Sequence, residues 1–205
     1  ESARENYTKA LRIDPDFTLA HNHLAYCFSA LGIHDSALIH VRKYLDLDSS
    51  ANAWDSYGDV LFAMGELEKA SMAKKRGLKL DPRLDYLYES LAYINVQQGM
   101  IRQALRNIDI YKGLQKEPNI ISRGLADKAF IYFVKEEYKR SLDTCLKAKQ
   151  MYDSKDLLTR NHILHWILSK LYIKLNDPVA LNTELKEMEE IKTKNKIDGY
   201  NNYNM

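Results

Sequence analysis

The chain has 205 residues, 45% of them hydrophobic, and a formal net charge of +2. That balance makes no general electrostatic case for nucleic acid or an anionic membrane as partner. No apolar run reaches membrane-spanning length, and Cys27 and Cys145 are too few and too far apart for a disulfide framework. Four prolines, eight glycines and runs of Ala, Leu, Lys and Glu predict an all-α chain of long helices with short connections. The first residues do not read as a signal peptide, and the cysteine usage fits a reducing compartment, so a cytoplasmic protein is expected.

The first predicted element is a helix from Ala3 to Ile13, with Ala3, Tyr7 and Ala10 on one face and Pro15 just beyond. The second unit begins near Thr18. Leu24, Ala25 and Phe28 form its first helix, Leu31-Gly32 the turn, and Ala37, Val41 and Tyr44 the buried side of its second helix. The third unit carries Trp54, Tyr57, Gly58 and Leu61, then Gly65, Ala70 and Gly77, and closes on Pro82. A fourth begins near Asp85, with Tyr88, Leu91, Ala92, Gly99, Ala104, Ile108 and Tyr111. Gly32, Gly65 and Gly99 lie 33 and 34 positions apart, and so do Ala37, Ala70 and Ala104. Two independent markers kept in step across three units define an internal repeat.

Beyond Tyr111 the period loosens, because Gly113 and Pro118 lengthen the connection. A fifth unit runs from about Ser122 through Leu125, Ala129, Tyr132, Tyr138, Ser141, Cys145 and Ala148, with Glu136 where the turn glycine stood. A sixth, offset by an insertion around Asp153 to Asn161, uses Leu168, Ser169, Tyr172, Leu175-Asn176, Leu181, Leu185 and Met188. Its last helix is expected to cap the array, with Leu181, Leu185 and Met188 inward and Glu184, Lys186, Glu187 and Glu190 outward. Lys192 to Met205 is polar and without period, and reads as a frayed or disordered tail.

Trp54, Gly58, Ala70 and Pro82 match the tetratricopeptide pattern W-x2-L-G-x2-Y, A-x3-F, P, in a unit of about 34 residues. Tyr57 and Leu61 are apolar stand-ins, and Lys74 replaces the Phe. The chain therefore resembles the tetratricopeptide repeat family. The resemblance implies a right-handed solenoid of antiparallel helix pairs: residues 1–17 as the second helix of a truncated repeat, 18–121 as units two to four, 122–191 as two degenerate units, and 192–205 as the tail. It also implies a non-catalytic interaction module, a piece of a larger signalling or assembly protein, with a concave groove that binds a peptide or helix. Alternatives within reach of the resemblance are an RNA-binding helical-repeat protein and a bacterial peptide-pheromone receptor domain.

In this family first helices line the groove, at about the second, fifth, ninth and twelfth positions of each unit. By carry-over, the candidate groove residues are Asn22, Tyr26, Asn52, Asp55, Asp59 and Phe62, then Tyr86, Glu89, Tyr93, Arg123, Phe130, Trp166 and Lys170. Some members hold a C-terminal carboxylate with Lys, Asn and Arg; Asn22 fits such a clamp, whereas Asp55 and Asp59 oppose it. An acidic, aromatic-lined groove instead suits a basic or amphipathic protein segment. On that reading, changing Asp55, Asp59 and Glu89 together to Lys weakens binding and leaves folding nearly intact. Phe130 and Phe133 could equally pack between repeats.

No nucleotide loop, nucleophile elbow, HExxH or CxxC is present, so no enzyme and no cofactor are expected. His162 and His165 have the spacing of a metal pair but no recognisable third ligand, so no metal is expected either. Lys74, Lys75, Arg76 and Lys79 form a basic cluster on a second helix, expected to be a solvated face. The apolar face of the first helix, with Tyr7 and Leu11, leads to an expectation of weak self-association there.

Overall fold

The structure, a computed structural model, describes residues 3–151 and 162–202. Among the described residues are eleven α-helices and no strand. The fold class is all-α, as the repeat period requires. The chain divides into two compact units, Glu1–Met100 and Ile101–Met205, so the division falls inside the pair read as the fourth repeat.

The first unit holds α1 (Ala3–Ile13), α2 (Thr18–Ala30), α3 (His34–Leu47), α4 (Ala51–Ala63), α5 (Leu67–Leu80) and α6 (Asp85–Gln97). Each helix packs on the next, and the first helices α2 and α4 also lie side by side. Small residues sit where backbones cross. A Cβ on Gly77 would stand 3.1 Å from the Ala51 carbonyl oxygen, so α5 reaches α4 at a distance that a larger residue would oppose. Around the crossings, Leu24, Ala25, Ala37, Val41 and Val60 are buried, followed by Leu61, Ala70, Ala73, Leu91 and Ile94. Each large side chain fully buried in this way contributes about 1.5–3 kcal/mol. Pro82 follows the last turn of α5 and ends it.

The second unit holds α7 (Ile101–Gly113), α8 (Pro118–Val134), α9 (Tyr138–Gln150), α10 (His162–Lys174) and α11 (Pro178–Asn202). Ala126, Ala129, Cys145, Ala148, Leu164, Ile167, Leu168 and Leu171 form its core. Two boundaries differ from expectation. α8 starts at Pro118 rather than near Ser122, because proline at the first helical position loses no intrahelical hydrogen bond and presets the helical φ. α11 continues to Asn202, so residues 192–202 extend a helix where a frayed tail was expected; adding a residue to an existing helix is far easier than nucleating one. The insertion expected at Asp153 to Asn161 lies outside the described residues.

The inward face of α11 also differs. Glu184 is 2% exposed and Leu185 is 49% exposed, so the buried side is set by Leu181, Glu184 and Met188 rather than by Leu185. The buried partner of Glu184 explains the rotation, as described below.

The turns between paired helices share one backbone state. Gly32, Gly65 and Gly99 have φ of 70°, 78° and 72°, and Glu136 and Asn176 take the same left-handed state at 62° and 54°. The turn geometry persists where the glycine does not, and a Cβ there is unfavourable by about 1–2 kcal/mol. Glu136→Gly is therefore expected to stabilise the protein by about 0.5–1 kcal/mol, the gain being reduced by the freedom glycine gives the unfolded chain. A higher denaturation midpoint at unchanged m value is the expected result; an unchanged or lower midpoint contradicts it.

Candidate functional site

Of the thirteen groove residues expected from the sequence, nine fall in the first unit and four in the second, and each set is described by itself. In the first unit the decisive side chain is one that was not expected. Lys74, on the second helix α5, is 1% exposed. Its stem runs across Gly58, where an added Cβ would stand 2.9 Å from Cε and 3.0 Å from Cδ. Only the bare glycine leaves room for that passage. The ammonium emerges on the first-helix side and donates to Asp55 Oδ1 at 2.5 Å and to Asp59 Oδ1. Lys74 is thus no part of a solvated basic face. It occupies the Phe position of the repeat as an apolar stem with a charged tip.

The clasp extends to α2. The Tyr26 hydroxyl donates to Asp59 Oδ2 at 2.8 Å and lies 3.2 Å from Ser56 Oγ. Burial, and then the charge of Asp59, pushes the Tyr26 phenol well above its ordinary range. Burial raises Asp55 as well; Lys74 only partly offsets this, and Asp59 adds to it. Tyr86 on α6 is raised by burial and by the charge of Asp55. Tyr26, Asp55 and Asp59 therefore meet on one face built by α2 and α4, and Tyr86 of α6 stands near enough to feel the Asp55 charge.

Two corrections follow. Asp55 and Asp59 are not open carboxylates on a solvated face, and Glu89, at 8% exposed, is buried too. Changing all three to Lys would set lysines against the buried Lys74 ammonium, so folding would not stay intact. Moreover, Asn52 turns away to donate to the Tyr44 hydroxyl at 2.9 Å, and Phe62 packs against the core of α4, α5 and α6. Asn22 does stay polar and unsatisfied: its Oδ1 is enclosed without a hydrogen-bond partner.

In the second unit, Phe130 and Phe133 pack on the core and against Trp166, with ring centroids 6.4 and 6.1 Å away. These aromatics pack within the array. Trp166 remains 44% exposed, with the Lys170 ammonium 5.8 Å from its ring centroid, and Arg123 is exposed. The His165 ring bonds Glu184 through Nδ1 at 2.5 Å. Lys149 donates to Glu184 at 3.0 Å and also to Glu187. His165, Glu184 and Glu187 could between them offer three ligand atoms to a metal, but the cation held there is the Lys149 ammonium. The His162 side chain, the other half of the expected pair, lies outside the described residues. Burial, then the Glu184 charge, pushes the Cys145 thiol up to about 12, consistent with a small core residue.

No protein-family profile matches the chain. It is 30% identical over 92 residues, 44% of its length, to small glutamine-rich tetratricopeptide repeat-containing protein 2 of Mycosarcoma maydis. It is also 30% identical over 90 residues, 43% of its length, to Hsp70-Hsp90 organizing protein 1 of Glycine max. These matches span only 26% and 16% of the relatives' own chains. Among solved structures, the type IV pilus biogenesis factor PilW superposes with a TM-score of 0.72 at 16% identity, over 90% of this chain and 82% of that one. YrrB, described as a tetratricopeptide protein with an unusual peptide-binding site, gives 0.56 at 16% identity over 93% and 94%. The helix pairs of this chain have the tetratricopeptide-repeat fold. In this tetratricopeptide array, among the described residues, no helix is long and apolar enough to cross a membrane.

Sequence reasoning missed Lys74, Ser56 and Glu184. One signal was available for the first: a lysine at the Phe position of a unit whose facing residue is Gly58 has a channel to thread.

Proposed function

We propose that this array is a non-catalytic protein-interaction module, in which the face built by α2, α4 and α6 binds a peptide or helix of a partner protein. The observation that carries this reading is the convergence of Tyr26, Asp55 and Asp59 on one face, held from beneath by Lys74, with Tyr86 within reach of the Asp55 charge. Fixed side chains lose little freedom on binding, and preorganisation of this kind favours affinity. Two carboxylates share one ammonium, so the clasp keeps a net negative charge, and Tyr26 is 39% exposed beside it. A basic or amphipathic segment suits that surface: cations for the carboxylates and apolar groups for the tyrosine rings. The name of the Glycine max relative, an organizer of two chaperones, and the peptide-binding site attributed to YrrB support the same class.

Tyr26→Ala with Tyr86→Ala removes the two rings and the Tyr26 bond to Asp59, and leaves Lys74 bonded to both carboxylates. The expected result is roughly tenfold or greater weakening toward a Lys- and Leu-containing helical peptide, with unchanged helicity. Unchanged affinity would contradict the reading. Weak pairing between copies through α1 is a second element. No residue of α1 is fully buried, although Tyr7 stacks on His23 with centroids 4.6 Å apart. Sedimentation that shows a strict monomer at high concentration would remove it.

A further inference from the structure

A second surface lies on a different side of the third repeat. Trp54, Tyr57 and Leu61 fall at i, i+3 and i+7 on α4 and share one helical stripe, well rotated from the stripe of Asp55 and Asp59. With Ala73 of α5 they form the apolar floor of a cleft of about 450 Å³. Met72, 70% exposed, is one wall. Lys69, Arg76 and Lys79 of α5 complete the lining. Lys69, Met72, Arg76 and Lys79 all stand exposed at helical spacing, so the basic rim is a continuous stripe beside the apolar floor.

We infer that this cleft docks an acidic amphipathic segment of a partner protein, one that presents a large apolar side chain flanked by carboxylates. The floor decides the apolar part. A Trp and a Tyr bordering a cleft offer area and ring faces to one inserted aliphatic or aromatic anchor, and the unbranched Met72 adapts around it. The rim decides the charge. Lys69 has a local partner in Glu66 at 2.9 Å, whereas among the described residues Arg76 and Lys79 make no ion pair. Arg76 can fork onto a carboxylate at the mouth while the anchor fills the floor. Three cations around an apolar floor are too few to track a nucleic-acid backbone. Since the clasp face carries the opposite charge, the two surfaces select different partners, and this inference stands apart from the function proposed above.

The test uses the full chain and a fluorescent helical peptide with Leu and Phe at i, i+3, i+4 and i+7 and Glu elsewhere. Its comparators are a scrambled peptide of the same composition and a version with Lys for Glu. Binding is read by anisotropy. The acidic amphipathic peptide is expected to bind, the other two weakly or not at all. Arg76→Glu with Lys79→Glu, both at exposed positions, is expected to weaken binding about tenfold and to abolish its salt dependence. Met72→Glu is expected to weaken it by setting a carboxylate in the apolar wall against the acidic peptide. Tyr26→Ala with Tyr86→Ala, on the other face, leaves it unchanged. Equal binding of the scrambled peptide, unchanged affinity in the Arg76 and Lys79 variant, or capture of the chain by phosphatidylserine vesicles but not by the peptide would each overturn the inference.

Discussion

Asp55→Ala combined with Asp59→Ala is expected to destabilise the first unit by about 3 kcal/mol or more, a large share of a domain's usual stability. The reason lies in Lys74, buried to 1% exposure with its ammonium on those two carboxylates. Without them a charged amine is left away from water between α4 and α5. The stem has no easy way out, because it is threaded over Gly58. Adding Lys74→Met to the double variant removes the stranded charge and keeps an unbranched apolar side chain of similar length. That triple variant is expected to recover most of the loss, since replacing a buried ion cluster by a packed hydrophobe is often neutral or stabilising. Denaturant titrations of the three proteins check this. If the double variant melts like the parent, or the triple variant is no better than the double, the clasp does not stabilise the fold.

The second large effect is expected in the other unit, from Glu184→Ala. The Glu184 carboxylate is 2% exposed and joins His165 of α10 to Lys149 of α9. Its removal leaves a cavity in the face of α11 and strands His165, whose Nε2 is already buried without a partner. A loss of about 2–4 kcal/mol is expected, at the lower end of that range if Lys149 can turn to solvent. The pH dependence supplies a sharper signature. Burial pushes the Glu184 carboxyl up, but the bonds from His165 and Lys149 outweigh it and hold the group below its ordinary value. The unfolded state then binds the proton more readily. The contribution of Glu184 is fully present above about pH 4.3 and is lost as pH falls through the depressed folded value. Asp55 has the opposite sign: its folded value is raised, so protonation on acidification favours the first unit through that group. Glu184→Gln should therefore flatten the acid limb of the second unit's stability and leave the first unit's unchanged. An acid limb identical to the parent's would contradict this.

Most of the fold was legible because its markers repeat. Gly32, Gly65 and Gly99 with Ala37, Ala70 and Ala104 determine turn and crossing in three units, and the helices fall where those markers place them. Later units keep the turn geometry at Glu136 and Asn176 after the residue signal is gone. Backbone geometry is imposed by the packing of neighbouring helices, so it outlasts the glycine that suits it best. The candidate site was legible only in part. First-helix spacing led to Tyr26, Asp55 and Asp59, which hydrogen bonds and the Lys74 ammonium draw together, and to Tyr86, which feels the Asp55 charge. It could not distinguish them from Asn52 and Phe62, which bond or pack elsewhere in the repeat. Nor could binary patterning find Lys74 or Glu184, because a charged residue at a buried position reads as a surface residue until its partner on another helix is seen. Glu184 misled the reading most, since its inward position moves Leu185 out to solvent.

The most direct test of the proposed interaction face is an amide chemical-shift map of the full chain, titrated with a Lys- and Leu-containing amphipathic peptide. The account predicts saturable shifts clustered on α2, α4 and α6, around Tyr26, Asp55, Asp59 and Tyr86. Saturable binding with shifts confined to other helices, or no saturable shift at any salt concentration, would contradict it.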